Sequence, residues 1–376
     1  MSSSQPENRS NVSATRVLVT FVFAVILCVG SVVFAQGQDA QPNNTDDSWT
    51  ATTQTSVVNT NPSRTMESHA KSGYRSVDKL RVEDFDLNGR YQPVSETEKE
   101  TVQVDPTTTQ TVTRTYNWDV NGKRNLTQVT EEEARSSASG DAQVMRTTSN
   151  YDEYGNIQVM EREFVDTKQA SPNAQETKTT FHLLDANGVL TPSMQIQELQ
   201  NRSAGHTVEM KKTSLVPGSS GNWEVSEVKE NTIKEDGKNR TNEESVWDSD
   251  SEGRLSEVSR TVGKETETAA GERNSTVEKY STEIPGVTPD GSLHLNLRVT
   301  TVQKRDSGVE TSEKLVEQPN PGDPGAGLQV SAKTESIVQY GASSAQQTQT
   351  IEMRDVNGAF NVVSVEARKS DQIPAE

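Results

Sequence analysis

An all-β fold, an extended antiparallel meander of about nine two-stranded repeats, is what this sequence predicts. Three observations predict it: a glycine recurring about every 33 residues, further turn signals halfway between those glycines, and strand-like composition in the stretches that separate them. The recurring glycines are Gly89, Gly122, Gly155, Gly188, Gly221, Gly253, Gly291, Gly327 and Gly358, at intervals of 33, 33, 33, 33, 32, 38, 36 and 31 residues.

Taken in chain order, the first element is an export signal over residues 1–35. Arg9 and Arg16 precede an apolar run from Val17 to Val33, and small residues at Val33 and Ala35 place cleavage after Ala35. An uncleaved anchor is the rival, since 19 residues could just span a bilayer, but no basic cluster follows the run. Cys28, the one cysteine, sits inside the signal behind Leu27, where a lipobox needs a small residue.

Composition bounds the rest. The chain has 376 residues, of which 55 are acidic and 37 basic, for a net charge of −18, and only 30% are hydrophobic. Removing residues 1–35 takes away Glu7, Arg9 and Arg16, which leaves 54 acidic and 35 basic residues, a charge of −19 and no thiol. Thiol catalysis, disulfides and cysteine-ligated metals are thereby excluded from the mature chain. The acidic balance argues against nucleic acid and against anionic membrane surfaces as partners.

Residues 36–75 form the second element, a flexible spacer rich in Ser, Thr, Asn, Gln and Asp, with too little apolar surface to offset its ordering entropy. Trp49 to Val58 alternates enough to pair as a strand. The third element, residues 76–376, is the β-hairpin repeat domain.

Aligning the repeats on their glycines brings up two more columns. Three residues earlier stand Asp86, Asp119, Asp152, Asp185, Asp250 and Asp355; two residues later stand Tyr91, Ile157, Leu190, Trp223, Leu255, Leu293 and Phe360. Asn-Gly supplies the positive φ of a tight turn, the aspartate caps it, and the large residue covers the hairpin end. Midway signals such as Ser139-Gly140, Asp236-Gly237 and Ser307-Gly308 reverse the chain again after about 16 residues. Gly140 lies in the longer Ser137–Asp141 connection, so valine is expected to cost less there than at Gly155. The intervening stretches are rich in Thr, Val and Glu without a sustained 3.6-residue stripe, which gives about eighteen strands.

An outer-membrane barrel has matching strand length, but its outer face must be apolar. Charges fall on both alternating faces in Val208–Thr213 and Leu255–Arg260, at about 2–4 kcal/mol for each lipid-facing charge at the midplane. The reading is therefore an open, largely solvated sheet whose hairpins are stabilised by their neighbours, with no membrane insertion beyond the signal segment.

The turn motif in Phe85-Asp86-Leu87-Asn88-Gly89-Arg90-Tyr91, Tyr151-Asp152-Glu153-Tyr154-Gly155-Asn156-Ile157 and Asp250-Ser251-Glu252-Gly253-Arg254-Leu255 resembles the tyrosine-aspartate (Rhs-type) repeat. The resemblance covers the turn alone and departs from the family in spacing, about 33 residues against about twenty. It implies β-hairpins on a secreted or surface-exposed protein.

Candidate chemistry is sparse. Asp248, Asp250 and Glu252 present oxygens at alternate positions like half of a calcium loop, but Ser259 stands where a bidentate glutamate is needed, so an acidic turn is the plainer reading. No nucleophile elbow, phosphate loop or zinc motif occurs, and no cofactor is expected. Aromatic residues crowd the repeat glycines. Trp118, Tyr151, Trp223 and Trp247 could stack on sugars or a hydrophobic partner, although packing of hairpin ends is the plainer reading. The functional expectation is an exported, non-enzymatic scaffold, secreted or periplasmic, whose partner is an unknown protein or polysaccharide of the envelope. The alternative is a carbohydrate-binding or carbohydrate-active exported protein.

Overall fold

The computed structural model describes residues 47–57, 62–86, 88–152, 154–203, 206–268, 271–283, 290–320, 323–341 and 344–370. The expected signal and its cleavage site lie outside these residues. The described chain forms twenty strands and no helix. The first ten are β1 (Asp47–Val57), β2 (Ser63–Ser72), β3 (Arg75–Phe85), β4 (Tyr91–Asp105), β5 (Thr108–Trp118), β6 (Arg124–Ser136), β7 (Ala142–Tyr151), β8 (Ile157–Ser171), β9 (Ala174–Leu184) and β10 (Leu190–Ser203). There follow β11 (Thr207–Pro217), β12 (Trp223–Asp236), β13 (Asn239–Ser249), β14 (Leu255–Glu267), β15 (Arg273–Ser281), β16 (His294–Asp306), β17 (Val309–Asn320), β18 (Asp323–Tyr340), β19 (Ala345–Arg354) and β20 (Phe360–Ser370).

Each strand pairs antiparallel with the next, and β1 pairs with β20, so the sheet closes into a barrel. This corrects the open meander. The all-β antiparallel reading holds, but the edges are paired with one another rather than left to solvent. The polar stretch assigned to the spacer supplies β1 and β2, which are the two strands missing from the expected eighteen. Their Thr- and Ser-rich alternation carries too little apolar signal to separate them from a linker, and pairing on both sides supplies what composition does not.

Backbone chemistry at one rim explains the repeat. In six hairpins the aspartate N–H donates to the carbonyl four residues on, and the glycine N–H donates to the aspartate carbonyl, as in Asp152 to Asn156 (3.0 Å) and Gly155 to Asp152 (3.0 Å). The aspartate Oδ1 then accepts the N–H groups two and four residues ahead, 2.9 and 2.8 Å in that turn. Gly155 has φ +83°, a region that costs an L-residue over about 1 kcal/mol. Gly140 has φ +90°, in a turn of the same form capped by Ser137, whose Oγ accepts the Asp141 N–H at 3.1 Å. A Cβ at Gly140 would also meet the Gln169 side chain at 3.5 Å, whereas one at Gly155 meets nothing within 4 Å. The Ser137–Asp141 connection is thus as tight as the aspartate turns. Gly140→Val is expected to lower the melting temperature at least as far as Gly155→Val, a ranking that paired thermal melts would check.

A further column completes each unit. Every even strand from β4 to β20 carries one extra residue four or five residues after its repeat glycine: Val94, Thr127, Met160, Ser193, Ser226, Val258, Asn296, Ser331 and Val363. These β-bulges form a ring at one height of the wall. Four carry hydroxyls that donate to a carbonyl on the preceding strand: Thr127 to Thr115 (3.1 Å), Ser193 to Phe181 (3.2 Å), Ser226 to Ser214 (3.1 Å) and Ser331 to Val316 (3.1 Å). The hydroxyl supplies a donor to a carbonyl beside the local ladder fault.

Handedness sets which face lines the lumen. Stepping through register partners from β1 to β20 returns to β1 displaced by about 20 residues towards its C-terminal end, a stagger that tilts a twenty-strand wall by about 35°. Strands twist right-handedly and so coil round the axis in a right-handed sense. With that displacement, chain order runs leftward for an outside viewer who holds the odd strands upright. Asp86 donates its N–H forward to Arg90, whereas Phe85 donates back to Pro62. For an L-residue on an upright strand, an N–H pointing left belongs to a side chain pointing away from that viewer. The Asp86 parity therefore faces the lumen and the Phe85 parity faces outward. Large apolar side chains occur on both parities at 39–46% exposure, Met66, Met145, Phe164, Ile337 and Val365 outward and Leu80, Leu183 and Met353 towards the lumen.

The same geometry gives a backbone radius of roughly 18 Å and a height of about 30 Å for an eleven-residue strand. Ala51, Val228 and Val246 are the buried hydrophobic residues, and no large side chain is fully buried among the described residues. Ladder hydrogen bonds and same-face pairs hold the wall in place of a packed interior.

Candidate functional site

The lumen is the largest structural feature that could act on another molecule, and its wall is built in horizontal rows of register partners. One row runs Lys99, Thr113, Thr130, Thr148 and Glu161 across β4 to β8. The next runs Thr101, Thr111, Glu132, Arg146 and Glu163. Threonine hydroxyls meet across strands at 3.3 Å for Thr101 with Thr111, 3.2 Å for Thr130 with Thr148 and 3.1 Å for Thr167 with Thr177. Arg146 donates to Glu132 at 2.9 and 2.6 Å and pairs with Glu163 on its other side. Threonine suits such a wall twice over, because its branched Cβ favours strands and its hydroxyl keeps the surface wet. A shallow recess of ≈ 190 Å³, lined by Glu67, Asp78, Leu80, Thr97 and Lys99 among others, interrupts the lumen side of β2 to β4. His69 closes one flank of it through Asp78.

The outward face has two zones. Near the aspartate turns it carries a belt of aromatic and aliphatic side chains, several beneath cations: Arg64 lies 4.4 Å from the Tyr91 ring, Arg124 3.5 Å from Tyr116 and Lys333 4.5 Å from Phe360. Phe85 meets Tyr91 edge-on, with centroids 5.2 Å apart. Farther from those turns the outward side chains are charged and paired across strands, as in Arg75 with Glu100 (2.8 Å), Lys211 with Glu230 (3.0 Å) and Arg298 with Glu278 (2.9 Å).

These two zones place the residues singled out from sequence. Trp118, Tyr151, Trp223 and Trp247 all lie in the outward belt, half-buried and directed away from the lumen. Arg81 lies 5.5 Å from the Trp118 ring. Asp248 sits on a lumen-facing position opposite Glu227. Asp250 caps its turn, with Oδ1 accepting from Glu252 and Arg254 N–H at 2.8 and 2.9 Å and Oδ2 accepting from Arg254 Nε at 2.9 Å. Glu252 pairs with Arg254 at 3.2 Å. The three carboxylates do not converge, and among the described residues no group of three or more such side chains has the arrangement of a metal site.

Hydrogen bonding to the carboxylate holds the turn aspartates below the usual carboxylate range. In Asp86, Asp119, Asp185, Asp250 and Asp355 the largest cause is the N–H four residues on, and in Asp152 it is the Asn156 side chain. A depressed folded-state pKa contributes stability that is present above the unfolded value, about 3.9, and is lost as pH falls through the folded value. The melting temperature is therefore expected to fall from pH 5 to pH 2.5. A variant with all six aspartates changed to asparagine should show a shallower fall, which thermal melts across that range would measure.

No family model matches the chain, and no curated protein does either. Three solved structures are similar to it over most of the chain. The copper transporter OprC matches at 7% identity, 88% of this chain and 80% of that one, with a TM-score of 0.48. The FrpB iron transporter from Neisseria meningitidis matches at 8% identity, 87% and 74%, with a TM-score of 0.42. The outer membrane protein opdK from Pseudomonas aeruginosa matches at 8% identity, 87% and 99%, with a TM-score of 0.36. No helix among the described residues is long and apolar enough to cross a membrane.

Three expectations are corrected by closure. The scaffold reading needed an open ridge to present to a partner, and the wall closes on itself instead. The carbohydrate alternative needed aromatics in a groove, and Trp118, Tyr151, Trp223 and Trp247 stand on the outward face instead, Trp118 beneath Arg81. The exclusion of membrane insertion rested on charges on both alternating faces, whereas the sheet closes into a barrel, one of the two architectures that satisfy every backbone group in lipid, and outward charges such as Lys211 are paired across strands. A secreted or periplasmic end point gives way with them to the coarser statement of an exported protein of the envelope.

Proposed function

We propose that this chain is an exported β-barrel of the cell envelope whose lumen carries small polar solutes across a membrane. Closure of twenty strands around a hydroxyl-lined and charge-paired lumen is the observation that carries the reading. Barrels of 16–18 strands leave an aqueous channel and those of about 22 enclose a plug. Twenty strands leave room for either, and no described residue fills this lumen. A wall about 30 Å high matches the hydrocarbon thickness of a bilayer. On the outward face the belt supplies an amphipathic ring, and the remaining charges are neutralised in cross-strand pairs, which lowers what each costs on leaving water.

Reconstitution into planar bilayers and solute-loaded vesicles tests this. Stepwise ohmic conductance and release of small sugars and amino acids, with retention of large dextrans, is the expected result. A folded protein that neither inserts nor conducts would overturn the proposal.

A further inference from the structure

We propose that the barrel opens along the β1–β20 line, with β1 staying on β2, and that Arg368 and Glu67 form the latch. Among the described residues the ladder on this line runs from Ala51–Ser370 to Val57–Ser364. Between Ser48 and Val57 the first strand has no charged side chain, so it lacks the ion-pair rungs that stiffen other junctions. Arg368 of β20 instead reaches across the lumen side of β1 to Glu67 of β2, at 2.7 Å, joining residues 301 apart in sequence. A pair that straddles a strand without belonging to its ladder restrains both flanks at once, and its rupture frees the line.

Opening would expose the outward-facing Thr52 and Gln54 backbone groups on one side and those of Ala367 and Lys369 on the other. These are edges able to accept an extended strand, and between them lies a side exit from the lumen.

Hydrogen exchange on the folded full-length chain, read by mass spectrometry, tests this without any need for conductance, so its failure and that of the transport reading are separable. Peptides covering 47–57 and 360–370 are expected to exchange about tenfold faster than those of β5 to β13. Arg368→Gln and Glu67→Gln should each speed them further. Thr55→Cys with Glu366→Cys, facing positions in a non-hydrogen-bonded pair, forms a disulfide that should restore protection. A control disulfide from Gln200→Cys with Met210→Cys at the nine-pair β10–β11 junction should not. Seam peptides as protected as β5 to β13, or protection restored equally by the control, would overturn the proposal. Should a latch variant fail to fold, the two disulfides decide it alone.

Discussion

Ending the chain at Ala359 is expected to abolish its cooperative thermal transition and leave an aggregating product. The lost residues include β20, which makes ten register pairs with β19 and seven with β1. At about 1 kcal/mol for each ladder hydrogen bond, the deficit rivals the roughly 5–15 kcal/mol by which a whole domain is stable. The truncation also creates two unprotected edges, each a template for pairing with another chain. An open stack of hairpins behaves otherwise, since each unit answers only to its neighbours and trimming the last would spare the rest. Circular dichroism melts and size-exclusion profiles of the two chains separate these outcomes. A monomeric truncate with an unchanged transition would mean that the β1–β20 junction adds nothing to the fold.

The second large effect concerns Val112 and Thr113, consecutive residues of β5 that point to opposite sides of the wall. Thr113 lies in the threonine row of the lumen, between Lys99 and Thr130. Val112 faces outward between Glu100 and Glu131. A chain produced from Gln36 onward has no other thiol, so a single cysteine reports on its own position. Thr113→Cys labelled with a bulky polymer maleimide is expected to cut single-channel current by more than about half, because the label occupies a lumen on the order of 20 Å across. Val112→Cys labelled alike should conduct as the unmodified chain does. Equal block at both sites, or block at Val112→Cys alone, would show the two faces to be exchanged.

Much of the architecture was legible in the sequence, and for physical reasons. Positive φ and backbone capping demand particular residues, so Gly89, Gly122 and Gly155 with Asp86, Asp119 and Asp152 mark one rim at a fixed period. Closure left no such mark, because the Thr53–Arg368 pair joins residues more than 300 apart through backbone groups that any side chain allows. Charges on both faces of Val208–Thr213 were weighed against a barrel on the premise that a barrel's outside is apolar. That premise concerns lipid contact, whereas ladder hydrogen bonds alone close the wall, and outward Lys211 is held by Glu230. The lumen rows were missed because threonine is common throughout the chain, and only register brings Thr113, Thr130 and Thr148 into line. The bulge column was readable, in Thr127, Ser193 and Ser226 each five residues after a repeat glycine, but a small hydroxyl residue in a Ser- and Thr-rich chain carries little contrast.

The ring of bulges also governs how the wall can change as its gene is copied. On β12 the residues on either side of Ser226 keep their faces whether or not it is there, Val225 outward and Glu227 towards the lumen. Loss of that one residue is silent for the polarity of the strand, and what goes with it is local twist. The same loss at Glu230, a few residues along, would exchange inside and outside for everything beyond it. One narrow band of the cylinder therefore tolerates single-codon gains and losses, and related chains should vary in length there while remaining in phase everywhere else.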